Sequence, residues 1–248
     1  MAEHFYGENL SLHTSNGGGE LFIECLLVFA ELGADAPEHA QVLSFLKSRV
    51  ERGYGWRFFE LDPLPESLSS EPALRFLIDT VACLAESLVS EHIPESLRSS
   101  FSNRNFQLKW AAFAFQFHGL LRDAAEFDVP APKLAFRDSK DERVCRLVYL
   151  KNHLYHASKF NNLTKQVELF SEIIELEKKG VPSKPIWLLF SDKAAILLKM
   201  DDTNETINAL REGASNAEGE VRQELEDEAD LLELEMIEKR ESESRNKW

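Results

Sequence analysis

From residue 20 onward, large apolar side chains recur every three or four positions, the spacing that lines them up on one face of an α-helix. "ELFIECLLVFAELG" (20–33) reads as a strongly apolar helix stopped by Gly33. Asp35 and Glu38, with Pro37 between them, form a capping-box pattern for a helix over 37–53, where Val42, Phe45, Leu46 and Val50 keep the spacing. Ser70 is placed to cap a long helix over 71–92 that Pro94 closes. Ser139 and Glu142 give a second capping box, starting a helix over 140–160. Asn161 and Asn162 precede another over 161–180, which ends in Lys-Lys-Gly as helix C-termini prefer. Further helical segments follow at 183–200, 203–214 and 217–242. With the aromatic stretch 109–128 this makes about nine helices joined by short connections, which favour antiparallel neighbours. No segment shows sustained β alternation. The pattern predicts an all-α fold, either an antiparallel helical bundle or a short helical-hairpin array.

Three segments break the periodicity and set the expected domain limits. Residues 1–19 are a polar, glycine-containing lead, expected to be flexible. "GYGWRFFELDPLPESLSSEP" (53–72) puts Tyr54, Trp56, Phe58 and Phe59 between glycines and prolines. These aromatics either plug a gap between helix pairs or anchor a partner, and a short strand is compatible with the stretch. "DVPAPKLAFRDS" (128–139) is a proline-containing connector between an N-terminal helical region, 20–127, and a C-terminal one, 140–248.

"KWAAFAFQFHGLLRDAAEFD" (109–128) holds five aromatic residues. At roughly 100° per residue, Phe106, Trp110, Phe113, Phe117, Leu120, Leu121 and Ala124 share one face, and Arg122, Asp123 and Glu126 occupy the other. The uninterrupted apolar run covers only 110–115, far short of the roughly 20 residues that span a bilayer. Phe115 and Leu108 fall among the charges. Either another helix covers that back face, making this a central helix, or they form an exposed contact. His118 sits on the shoulder between the two faces, as a packing or capping residue or as a contact for a partner.

Composition narrows the function classes. The net charge of −15 disfavours nucleic acid and anionic membranes as direct partners and fits attraction to a basic protein. Residues 218–241 contain eleven Asp/Glu and three Lys/Arg, a net −8 for this stretch alone. Cys25, Cys83 and Cys145 lie inside apolar helical patterns without metal or redox spacing, as expected of reduced core thiols in a cytoplasmic chain. The N-terminus has no basic segment followed by an apolar run, so no signal peptide is expected.

Candidate chemistry is sparse. In the 140–160 helix Cys145, Tyr149, His153, His156 and Phe160 cluster on one side. His153 and His156 are three residues apart and could share a metal, but no HExxH or Glu-xx-His pattern supplies further ligands. Glycine-rich phosphate loops and the G-x-S-x-G elbow are absent. No catalytic residue, metal or cofactor is therefore assigned. The acidic C-terminal helix carries more information. Val221, Leu225, Ala229, Leu232 and Met236 form a narrow apolar stripe, while Glu224, Glu226, Asp227, Glu228, Asp230, Glu233 and Glu235 crowd the remainder. Like charges at these spacings destabilise an isolated helix, so packing or a basic partner must offset them.

Within 187–214, Phe190, Ala194, Leu197, Leu210 and Gly213 fall at spacings where paired helices pack closely, and the segment resembles tetratricopeptide-like helical-repeat proteins. Thr206 stands where that family places a small alanine, and neighbouring hairpins do not repeat at its period. The resemblance implies a peptide- or protein-binding scaffold. Taken together, the expectation is a non-enzymatic protein that binds another protein with a basic surface. One concrete form is an immunity-type inhibitor of a basic toxin or nuclease. The candidate contacts are Tyr54, Trp56, Phe58, Phe59, Phe115, His118, Tyr149, His153, His156, Glu226, Asp227, Glu228 and Asp230. The alternatives are a helical-repeat scaffold or chaperone, and a helical enzyme or metal-binding protein using His153 and His156.

Overall fold

The computed structural model describes residues 2–6, 11–37, 39–51, 58–60 and 64–245. Within them the chain is mostly helical, and consecutive helices pack as antiparallel neighbours. Contacts divide it into two units, residues 1–156 and 157–248. The division falls within a helix rather than at 128–139. That connector is part of the first unit, where the Lys133 N–H donates to the Glu86 carboxylate at 3.0 Å.

The first unit contains α1 (Asn16–Gly33), α2 (His39–Glu51), α3 (Glu71–Ser90), the short α4 (Glu95–Arg98), α5 (Arg104–Asp123) and most of α6 (Ser139–Lys159). A small sheet adds to the expected helices. Strand β1 (Ala2–Tyr6) pairs antiparallel with β2 (Ser11–Ser15) and parallel with β3 (Phe58–Glu60). The lead is therefore strand-forming, and α1 begins at Asn16, before the expected Glu20. Each strand is too short to show alternation. The parallel pair also needs a long crossover, here containing α1 and α2, which no local pattern reveals. Leu12 of β2 is fully buried and ties the sheet to the helices.

Capping explains most helix starts. The Ser70 hydroxyl accepts from the Ala73 N–H at 3.4 Å, as expected, and α3 stops where Glu91 turns left-handed at φ 64°. Asn103 caps α5 through the Phe106 N–H at 3.1 Å, and Asn162 caps the next helix, α7 (Leu163–Lys178), through the Lys165 N–H at 3.0 Å. At α6 the structure corrects the expected box. The cap is Asp138, whose carboxylate accepts from the N–H groups of Lys140 and Asp141 at 3.0 and 2.9 Å, and Ser139 is the first helical residue. The Asp138 carboxyl is held below its ordinary range, first by the Asp141 amide. Glu38, the second member of the box expected at α2, lies outside the described residues; Asp35 donates its N–H to His39 Nδ1 at 3.3 Å.

The core of the first unit is an aromatic cluster around Phe22 of α1. Its ring stacks on Trp110 at 5.8 Å and meets Phe113 and Phe117 edge-on at 4.8 and 5.5 Å. Offset and edge-on pairs of this kind add to plain burial. Trp110, Phe113 and Phe117 form the stripe expected of α5. Phe106 does not. It sits in the first turn of α5, rests against Phe101 and Trp110, and remains 38% exposed.

The second unit is a run of hairpins: α7 (Leu163–Lys178), α8 (Ile186–Lys199), α9 (Thr203–Ser215) and α10 (Gly219–Arg245), each packed on the next. Ala194 and Leu197 of α8, Ile207 and Leu210 of α9, and Leu225 and Ala229 of α10 make one buried cluster. Gly213 lies at a close contact between α9 and both of its neighbours. A Cβ there would stand 3.2 Å from Phe190 Cβ and 3.4 Å from Leu225 Cδ1, so alanine fits only with a slight shift and a bulkier residue would press on both neighbouring helices.

Candidate functional site

Helix α10 starts with Gly219 at φ 57°, a left-handed conformation that glycine adopts without strain. This turn lays α10 along α9. Leu225 and Ala229 are buried, and Val221, Leu232 and Met236 are partly buried against the same cluster, as the apolar stripe predicts. Arg211 of α9 donates to Asp230 at 3.1 Å and to Glu233 at 2.7 Å, and Arg222 pairs with Glu226 at 2.9 Å. Arg211, Ser215, Arg222, Glu226 and Asp230 line a cleft of about 370 Å³. The hydrogen bond that Arg211 donates to Glu233, and then the one to Asp230, raises its pKa above the ordinary arginine value.

The four expected carboxylates therefore divide. Glu226 and Asp230 are engaged by the chain's own arginines, Asp227 accepts from Gln223 at 2.8 Å, and Glu228 is exposed. Among the described residues, Glu220, Glu224, Glu228, Glu235 and Glu238 have no cationic partner. They leave an outward field of negative charge along the helix.

Sequence reasoning missed three side chains on this helix. Leu231, Leu234 and Ile237 are 58%, 59% and 45% exposed. Residues three apart are neighbours on a helix surface, so the three form one ridge. At roughly 100° per residue the ridge lies opposite the packed stripe. The signal was legible: these are the apolar residues of the segment that the 221–236 stripe does not include.

The first unit carries a second feature. Ala112 and Phe115 of α5, Pro132, Leu134 and Phe136 of the connector, and Tyr149 of α6 line a groove of about 390 Å³, with Glu142 and Arg146 also on its wall. Phe115 and Tyr149, both expected contacts, are brought together here, each partly buried. Leu108 is fully buried, and the Cys145 thiol donates to its carbonyl at 3.2 Å. The back of α5 is thus covered by α6, which makes α5 a central helix. The Gln116 carboxamide links the two helices, donating to the Tyr149 carbonyl at 3.2 Å and accepting from Asn152 at 2.6 Å.

His118 is 2% exposed, and burial, with a further push from Arg122, lowers its pKa to about 4. It is a neutral packing residue, not a surface contact. The Tyr149 and His153 rings lie 4.3 Å apart, and His156 is partly buried. Among the described residues no group of three or more His, Cys, Asp or Glu is placed to hold a metal ion. Burial raises the Cys25 and Cys145 thiols to about 12, and Cys83 is also raised, so none is an activated nucleophile. Cys83 is exposed, against the expectation of three core thiols; Cys25 and Cys145 are buried. Phe58 and Phe59 form part of β3, and Tyr54 and Trp56 lie outside the described residues. No helix among the described residues is long and apolar enough to cross a membrane.

No known protein family, curated protein or solved structure matches this chain.

Proposed function

We propose that this chain is a non-enzymatic protein-binding protein whose C-terminal helix receives a partner with a basic surface. The observation that carries this reading is the row of carboxylates on α10 without internal cations, Glu220, Glu224, Glu228, Glu235 and Glu238. Concentrating like charge on one helix costs stability. An opposite-sign partner offsets that cost, accelerates encounter and is selected by it. Neutralisation of a basic toxin, a nuclease above all, is the concrete form we favour, because carboxylates can occupy positions where a nuclease expects phosphates. The hairpin packing around Gly213 supports the companion reading of the second unit as a helical-repeat scaffold presenting that surface.

The test starts from a basic polypeptide captured with the full chain, then identified and purified. Its association rate should fall as salt rises. It should fall further when Glu224, Glu228, Glu235 and Glu238 are replaced together by Gln. An unchanged rate in that variant would remove α10 as the docking surface.

A further inference from the structure

An exposed leucine alone says little, since much of any protein surface is apolar. Three in one ridge say more, because an adjoining row of large aliphatic side chains is the kind of surface that partners cover. Leu231, Leu234 and Ile237 are all more exposed than Val221, Leu232 or Met236 on the packed side of the same helix. They also sit among the carboxylates: Asp227, Glu228, Asp230, Glu235 and Glu238 are exposed beside them.

The charge decides which occupant fits. A second copy of this chain would bring the same carboxylates face to face across the ridge, and like charges directly opposed cost binding energy. An anionic membrane surface is repelled for the same reason. A partner with apolar residues to meet the ridge and cations to meet its flanks satisfies both features at once. A helix supplies that combination in its simplest form, because apolar side chains at i, i+3, i+4 and i+7 stand on one face with long basic side chains beside them.

We infer that the Leu231–Leu234–Ile237 ridge of α10 is the docking face for a basic amphipathic helix of another protein. This rests on the acidic-docking reading above and adds to it the shape of the partner. The carboxylates set the rate and sign of encounter; the ridge sets the register, by accepting an apolar row and rejecting a basic segment without one.

The experiment uses the full chain and two fluorescent probe peptides of identical composition. One carries leucine at i, i+3, i+4 and i+7 with lysine elsewhere; the other is its scrambled isomer. The amphipathic peptide should bind at least about tenfold tighter than the scrambled one. The triple variant Leu231→Gln, Leu234→Gln, Ile237→Gln should abolish that difference. Glutamine is a good helix former, and all three positions are exposed, so the fold is retained. Equal, salt-sensitive binding of both peptides, unaffected by the triple variant, would overturn the ridge assignment and leave acidic docking standing. Absence of binding by either peptide at low salt would overturn both. A concentration-dependent dimer in sedimentation, lost in the triple variant, would overturn the assignment in favour of a second copy.

Discussion

The guanidinium of Arg104, at the start of α5, is seated on the carboxylate of Asp141 in α6, with Nη2 to Oδ2 at 2.5 Å and the Asp141 side chain only 3% exposed. The same guanidinium donates to the carbonyls of Leu88 and Val89 at 2.9 and 2.7 Å, which are the last turn of α3. One cation thus closes a helix C-terminus, where positive charge is favoured, and pins three helices together. Removing one member leaves the other on weaker contacts, Asp141 with Arg137 at 3.8 Å or Arg104 with Glu91 at 3.4 Å, so each loss stays below the about 3–5 kcal/mol of a buried charge with no partner.

Arg104→Met and Asp141→Leu should therefore each lower stability measurably in urea titrations. The double variant should lose clearly less than the two single losses added together, because the second change removes the group that the first left stranded. Additive losses would show that the pair is not coupled.

His118 makes stability depend on pH in a defined window. Its pKa is about 4 in the folded chain against an ordinary 6.5, so the unfolded chain binds more protons between those values. The contribution is fully present above pH 6.5 and is lost as pH falls towards 4, with a slope of at most about 1.4 kcal/mol per pH unit. His118→Gln should flatten the urea-midpoint profile between pH 6.5 and 4 relative to the parent. Parallel profiles would show that His118 does not take up the proton.

Gly213 separates helix propensity from packing. Alanine in place of glycine favours a helix by about 1 kcal/mol. Here its Cβ would meet Phe190 at 3.2 Å, so the gain is offset. Gly213→Ala should change stability little. Gly213→Val adds bulk to the same contact and should destabilise the second unit by about 1–3 kcal/mol. Equal melting temperatures for parent and valine variant would contradict the close approach of α8 and α9.

The acidic face of α10 should itself be a stability cost. Glu224→Gln with Glu228→Gln removes a like-charged pair one turn apart and should raise Tm at low salt, with the gain shrinking as salt is added. A lower Tm would mean that these carboxylates hold the fold rather than serve a partner.

Much of the helical plan was readable because it is local. Ser70, Asn162 and the apolar stripe of α10 each act within a few residues, and the spacing alone locates them. Features that depend on distant neighbours were not readable. The β1–β3 pair joins segments separated by two helices. Asp138 outcompetes Ser139 as the cap of α6, although both are good capping types, because the backbone geometry seats its carboxylate on two amides. Phe106 and Trp110 stand on the same projected face, yet of the two it is Trp110 that stacks on Phe22, while Phe106 lies in the first turn of the helix and stays 38% exposed. For the candidate site, the carboxylates were legible as composition. Which of them Arg211 and Arg222 already engage required the pairing of α9 with α10.

The most direct test of partner docking on α10 is hydrogen exchange of the full chain with and without the Leu/Lys amphipathic peptide. The account predicts added protection of backbone amides within 224–241. Protection instead around the Phe115–Tyr149 groove of the first unit, with α10 unchanged, would contradict it.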